Sequence, residues 1–159
     1  MVNKIEHSGV MLNGAERKAL IKLLVSRYLA EGKEVRRLEQ NMSRNIGTDY
    51  AIAASTGTAA LHLALLALGI KDGDEVIIPN YVCRSVLNAV QYVRARPVLC
   101  DVDLRTFNIL PDLAKKLITP KTKAVIAAHM FGCPADMDLI KKMDIFVIED
   151  CAQSIGAEY

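Results

Sequence analysis

Two places in the sequence gather residues that could do chemistry. The first is Ser55-Thr56-Gly57-Thr58-Ala59, where a glycine stands between hydroxyl side chains just as an apolar helical pattern opens. A turn of this kind exposes backbone amides and the positive end of a helix dipole, which together can seat a phosphate. It lacks the lysine and second glycine of a Walker loop, and it has one glycine where the dinucleotide fingerprint needs three. A plain N-cap by Thr56 or Thr58 is the competing reading. The second place is Glu149-Asp150, which ends the apolar run Ile145-Phe146-Val147-Ile148. Strand alternation sends the two carboxylates to opposite faces, so they do not make an acid–base pair. One of them at a sheet rim would stabilise a cationic ligand atom. A helix N-cap by Asp150 with Glu149 solvated competes with that reading.

The other polar residues read as structural. His129 stands alone at a strand end and reads as a satisfied structural group, while His62 lies inside an apolar helix and reads as a core residue. Tyr28, Tyr50 and Tyr92 read as packing residues, and Lys115, Lys116, Lys121 and Lys123 as a solvated turn around Pro120. Cys83, Cys100, Cys133 and Cys151 are too widely spaced for a metal knuckle or a redox pair. They read as small buried hydrophobes in a reducing cytoplasm, and no metal site is expected.

The elements that must position these residues follow from periodicity. Asn13 and Glu16 have the spacing of a capping box, and Ala15, Leu20, Ile21, Leu24, Val25 and Tyr28 form an apolar stripe, which predicts a helix over 14–30. A polar helix over 34–46 follows, closed by Gly47. From Tyr50 strands and helices alternate: strands over 50–55, 75–79, 97–101, 123–129 and 145–150, helices over 58–68, 81–93, 111–117 and 137–143. Val76-Ile77-Ile78 and Ala124-Val125-Ile126-Ala127-Ala128 are continuously apolar, as strands buried on both faces are. The fold class is therefore α/β with a doubly wound parallel sheet. Chemistry in such a sheet sits at the carboxyl ends of the strands, which selects the Ser55 turn, Asn80-Tyr81, Asp101, His129 and Glu149-Asp150.

Composition agrees with a globular chain. Of 159 residues 52% are apolar and 24% charged, and 20 basic against 18 acidic side chains give a formal charge of +2. There is no strong basic field for nucleic acid or a membrane surface. Ala51–Ile70 has no formal charge, but Ser55, Thr56, Gly57 and Thr58 break it as a membrane span. Met1–Glu6 has no apolar run of leader type. A cytoplasmic location is expected.

Several segments occur together in a recognisable order. They are Gly57-Thr58-Ala59-Ala60-Leu61-His62-Leu63-Ala64-Leu65, Gly73-Asp74-Glu75-Val76-Ile77-Ile78-Pro79, Asp101-Val102-Asp103 and Glu149-Asp150-Cys151-Ala152-Gln153. From about Asn13 onward the chain resembles the N-terminal part of the DegT/DnrJ/StrS family of pyridoxal-phosphate-dependent sugar aminotransferases. The resemblance implies a three-layer α/β sandwich, the large domain of the aspartate-aminotransferase fold, here incomplete. Residues 1–48 would be an N-terminal helical segment and 49–159 the start of the cofactor domain. In the implied sheet the second expected strand lies between the third and the fourth, with the fifth beyond the fourth. The first is parted from the fifth by strands this chain does not supply.

The resemblance also implies roles. Gly57, Thr58 and Ala59 match the turn that holds the cofactor phosphate. Asp150 matches the acid that keeps the pyridine nitrogen protonated, so that the ring can accept electrons from the substrate. Gln153 matches the residue that hydrogen-bonds the ring hydroxyl. Cys83 stands where the family has an aromatic that stacks on the ring, and is a candidate cofactor contact. The family's Schiff-base lysine comes after the Asp-to-Gln motif, and no lysine up to Tyr159 fits the role, so no catalytic residue is assigned and the chain alone is expected to be inactive. The implied partners are a nucleotide-linked sugar, an amino donor such as glutamate, a second copy in a homodimer, and a complementing C-terminal polypeptide. Two related readings stay open: a dehydratase of the same family, with histidine in place of that lysine, and a non-catalytic fragment or split subunit. A flavodoxin-like ligand-binding domain is a further alternative.

Overall fold

The computed structural model describes residues 12–158; the Met1–Glu6 stretch lies outside them. The chain divides into two compact units that meet in sequence at Ile52 and Ala53.

The first unit carries helices α1 (Gly14–Ser26) and α2 (Lys33–Ile46). Asn13 caps α1 as its spacing predicts: its Oδ1 accepts from Ala15 N at 2.8 Å, and its own amide donates to Glu16 Oε2 at 2.9 Å. The helix stops earlier than expected because Arg27 enters the left-handed region, at φ 57°. The apolar stripe is exposed, Val25 to 77% and Tyr28 to 60%. Gly47 ends α2 at φ 75°, as a glycine C-cap does.

In the second unit α3 (Gly57–Ala67) leads into β1 (Glu75–Pro79), α4 (Arg84–Tyr92), β2 (Arg96–Cys100), α5 (Pro111–Lys116), β3 (Thr122–Ala128), α6 (Met137–Ile140) and β4 (Phe146–Asp150). The four strands are all parallel, in the order β2-β1-β3-β4. This is the order expected for the second to fifth strands. Every residue of β1 is buried, and of β3 only Lys123 is exposed. Alternation splits these strands between two cores. Val76, Ile78, Ala124 and Ile126 pack with Leu61 and Leu65 of α3 and Val86, Ala89 and Val90 of α4. Ile77, Val125 and Ala127 pack with Ala114 of α5 and Met137 and Ile140 of α6. The result is a three-layer sandwich, helix pair against sheet against helix pair. Each fully buried Val or Ile contributes roughly 1.5–3 kcal/mol.

Residues 51–54, expected within the first strand, join no strand, and Ile52 is 82% exposed. A strand exists only beside a partner, and β4 ends the sheet on that side. The uncharged stretch from Ala51 makes no membrane helix; no described helix is long and apolar enough to cross a bilayer. The cysteine reading is also corrected: Cys100 is buried, but Cys83, Cys133 and Cys151 are exposed, and all four are free. So is that of the tyrosines: Tyr50 and Tyr92 are 85% and 60% exposed, Tyr92 making only an edge contact with His62 at 5.5 Å.

Candidate functional site

Because the strands are parallel, their C-terminal ends share one rim. Asn80 follows β1, Asp101 follows β2, His129 follows β3 and Asp150 closes β4. The rim is tied together by polar contacts. Asn80 Nδ2 donates to Asp101 Oδ1, and Asn80 N donates to Cys100 O at 2.8 Å. His129 N donates to Asp150 O at 3.1 Å.

The Gly57 turn reaches the same rim by its direction. The C-terminus of α3 feeds β1 through a short loop, so the helix runs back along the strand. Eleven helical residues span about 16 Å, close to the length of the five-residue strand. Thr56 is the N-cap, its Oγ1 accepting from Ala59 N at 3.1 Å. Ala60 N bonds to Thr56 O at 3.0 Å. The amide of Ala59 is thus already taken, and those of Gly57 and Thr58 are left without an intrahelical acceptor. A side chain on Gly57 would meet nothing within 4 Å, so the space beside the turn is open.

Glu149 and Asp150 part as alternation requires. Asp150 Oδ1 accepts from Ala152 N at 3.1 Å and so caps the turn after β4. Glu149 is exposed, as the plain reading has it, but it also has a partner: its Oε2 lies 3.1 Å from His129 Nε2. The His129 ring is buried, and its Nδ1 accepts from Ala135 N at 3.0 Å. A ring nitrogen that accepts carries no hydrogen, so the proton sits on Nε2 and is donated to Glu149.

This tautomer bears on metal binding. His129, Glu149 and Cys151 place donor atoms within 4.8 Å of one another. A metal on Nε2 would need the ring proton moved to Nδ1, where it would face the Ala135 N–H. Metal-bound histidines instead donate through their other nitrogen. The cluster is therefore a structural clasp, as the sequence reading of His129 has it.

Cys83 sits at the N-cap position of α4, with its Sγ 3.2 Å from Ser85 Oγ. Hydrogen bonds from the Ser85 hydroxyl and backbone hold its thiol below the ordinary cysteine value, against smaller opposing effects from burial and then from the charge of Asp150. Gln153 is exposed, and its Oε1 accepts from Phe131 N at 3.1 Å. With the oxygen so occupied, Nε2 is the end left to donate.

Sequence reasoning missed Asn108 and Phe131. Asn108 is buried, and its side chain bonds to Met130, Cys133 and Pro134, all more than twenty positions later. The nearest signal for it is the Asp103 turn, where Oδ1 of Asp103 accepts from the amides of Arg105 at 2.9 Å and Thr106 at 3.0 Å.

The donor set fits pyridoxal phosphate: open amides for a phosphate, a carboxylate for a cationic ring nitrogen, and a carboxamide turned to donate to a ring hydroxyl. Comparison with known proteins agrees. Residues 11–159 match the model of the DegT/DnrJ/EryC1/StrS aminotransferase family. The chain is 39% identical over 153 residues to GDP-perosamine synthase of Escherichia coli O157:H7, covering 93% of this chain and 42% of that one. It resembles the crystal structure of an aminotransferase from Psychrobacter cryohalolentis, with 38% identity and a TM-score of 0.87, over 94% of this chain and 39% of that one. It also resembles E. coli GDP-4-keto-6-deoxy-D-mannose-3-dehydratase with bound hydrated pyridoxal phosphate, with 29% identity and a TM-score of 0.83, over 90% of this chain and 39% of that one. The chain thus spans about two fifths of the length of these relatives.

Proposed function

The chain belongs to the DegT/DnrJ/EryC1/StrS aminotransferase family, and on that premise we propose that it serves amino transfer from glutamate to the keto group of a nucleotide-linked sugar. The family and its solved neighbours imply pyridoxal phosphate as the cofactor. When bound, this group supplies an electron-accepting ring. The amides of Gly57 and Thr58 take the phosphate, with Ala59 completing the turn. Asp150 keeps a proton on the pyridine nitrogen. Gln153 donates Nε2 to the ring hydroxyl, and Cys83 contacts the ring. The observation that carries this reading is the Phe131 N–H bonded to Gln153 Oε1, which fixes which end of the carboxamide is the donor.

The sugar is argued from the 39% identity to a GDP-perosamine synthase. We place the protein in the cytoplasm, where four free cysteines stay reduced, and as a homodimer. The test supplies the complete gene product with pyridoxal phosphate, glutamate and GDP-4-keto-6-deoxy-D-mannose, and follows products by mass spectrometry. Amino transfer gives an aminated GDP-sugar and one equivalent of 2-oxoglutarate. A dehydrated sugar in its place would establish the dehydratase reading, which the likeness to the E. coli dehydratase supports. Neither product would refute both.

A further inference from the structure

The loop after β3 is bent through two residues in the left-handed region, Phe131 at φ 55° and Gly132 at φ 81°. Glycine accepts this readily, but a bulky aromatic does not. Such a conformation persists where its surroundings over-determine it. The surroundings here are two side chains. Asn108, 4% exposed, accepts from Met130 N through Oδ1 at 2.9 Å. Its Nδ2 donates to the carbonyls of Cys133 and Pro134, each at 3.0 Å. One carboxamide therefore grips the loop on both sides of the bend. The next amide along, Phe131 N, is the one that holds Gln153 Oε1 at 3.1 Å.

We propose that Asn108 is a positioning residue for the cofactor site: it clamps the 130–134 loop so that the Phe131 amide turns the Gln153 carboxamide with Nε2 toward the cofactor's ring hydroxyl. This rests on the reading of Gln153 given above. The reason a clamp is needed lies in the shape of the carboxamide. Its two ends are nearly the same size, so only a fixed donor on one end decides what the other presents. If the Phe131 peptide rotates, Gln153 can present its oxygen to the ring in place of Nε2, and an amide oxygen has no hydrogen to donate to the ring oxygen. Asn108 touches neither the cofactor nor Gln153; it acts on the peptide between them.

The first measurement needs no cofactor: amide hydrogen exchange at Phe131, read by NMR in the wild type and in Asn108→Ala. Exchange is expected to speed about tenfold or more at Phe131, with Val125 and Ile126 of β3 unchanged. The second is a double-mutant cycle on the pyridoxal phosphate affinity of the complete gene product. Asn108→Ala is expected to weaken binding about fivefold in the wild-type background and not at all with Gln153→Leu present. Should Asn108→Ala not fold, Asn108→Asp keeps the Met130 acceptor and loses both donors. It is expected to speed exchange about threefold and to show the same coupling to Gln153. Unchanged exchange at Phe131, or equal weakening with and without Gln153, overturns the proposal. If Gln153→Leu leaves cofactor affinity unaltered, the reading of Gln153 fails and takes the positioning role with it. If Gln153→Leu weakens binding and Asn108→Ala does not, the positioning role alone fails.

Discussion

Replacing His129 separates its two hydrogen bonds, because each candidate substitute keeps a different part of the ring. Nδ1 accepts from the amide of Ala135, a residue only 1% exposed, and Nε2 donates to Glu149, whose side chain is 42% exposed. The two losses are unequal. His129→Leu leaves the Ala135 amide buried without a partner, which costs about 1–3 kcal/mol. Glu149, freed at the surface, regains water, and its contact is worth about 0.5 kcal/mol. The total is about 2 kcal/mol, or a fall in Tm of about 6 °C for a chain of this size. In His129→Asn, Oδ1 can stand where Nδ1 stood and keep the Ala135 amide, so the loss is about 1 kcal/mol. Urea unfolding at pH 7, followed by circular dichroism, gives both values if the m-value is unchanged. Equal destabilisation by Leu and Asn, or none by Leu, would refute the assignment of the ring.

The same tautomer predicts that zinc at about 100 μM leaves Tm unchanged; a rise would show that His129, Glu149 and Cys151 do bind metal. Cys83, its thiol lowered by Ser85, should be the first cysteine alkylated by iodoacetamide at about pH 8, and Ser85→Ala should slow it. Cys100, pushed up to about 11 by burial and the charge of Asp101, should react only on unfolding; peptide mapping reads both. Glu75 is held below the ordinary carboxylate range by the Thr119 hydroxyl first, 2.7 Å away, and by Arg96, whose Nη2 lies 2.9 Å away. A depressed folded value means stability that is full at neutral pH and lost as pH falls through that value. Glu75→Gln should therefore flatten the acid limb of the stability curve, and an unchanged limb would contradict this.

How much of this was legible in the sequence depended on how far each residue looks along the chain. Val76-Ile77-Ile78 and Ala124 to Ala128 announce buried strands because both faces are apolar; the first has the expected bounds, and the second is displaced by one residue. The order of the four strands followed from the family resemblance. The stretch over 50–55 misled because its apolar texture is that of a strand, while forming one takes a neighbour that the described residues lack. The acidic pair was read correctly as split between two faces, but its partners were not foreseen. Glu149 meets His129 twenty residues away, and Gln153 meets Phe131 twenty-two away. Asn108 was the least visible, since its role exists only where the loop after β3 folds back over it. Periodicity reports on faces and cannot report such meetings.

Asp150, Gln153 and the Gly57 turn are proposed to converge on a single pyridoxal phosphate. The most direct measurement is the affinity of the complete gene product for pyridoxal phosphate, wild type against Asp150→Asn, by titration of the visible absorbance. A hydrogen bond to a charged ring nitrogen is worth about 1.5–3 kcal/mol, so the account predicts saturable binding weakened about tenfold or more by the substitution. Binding equally tight in both proteins would contradict it.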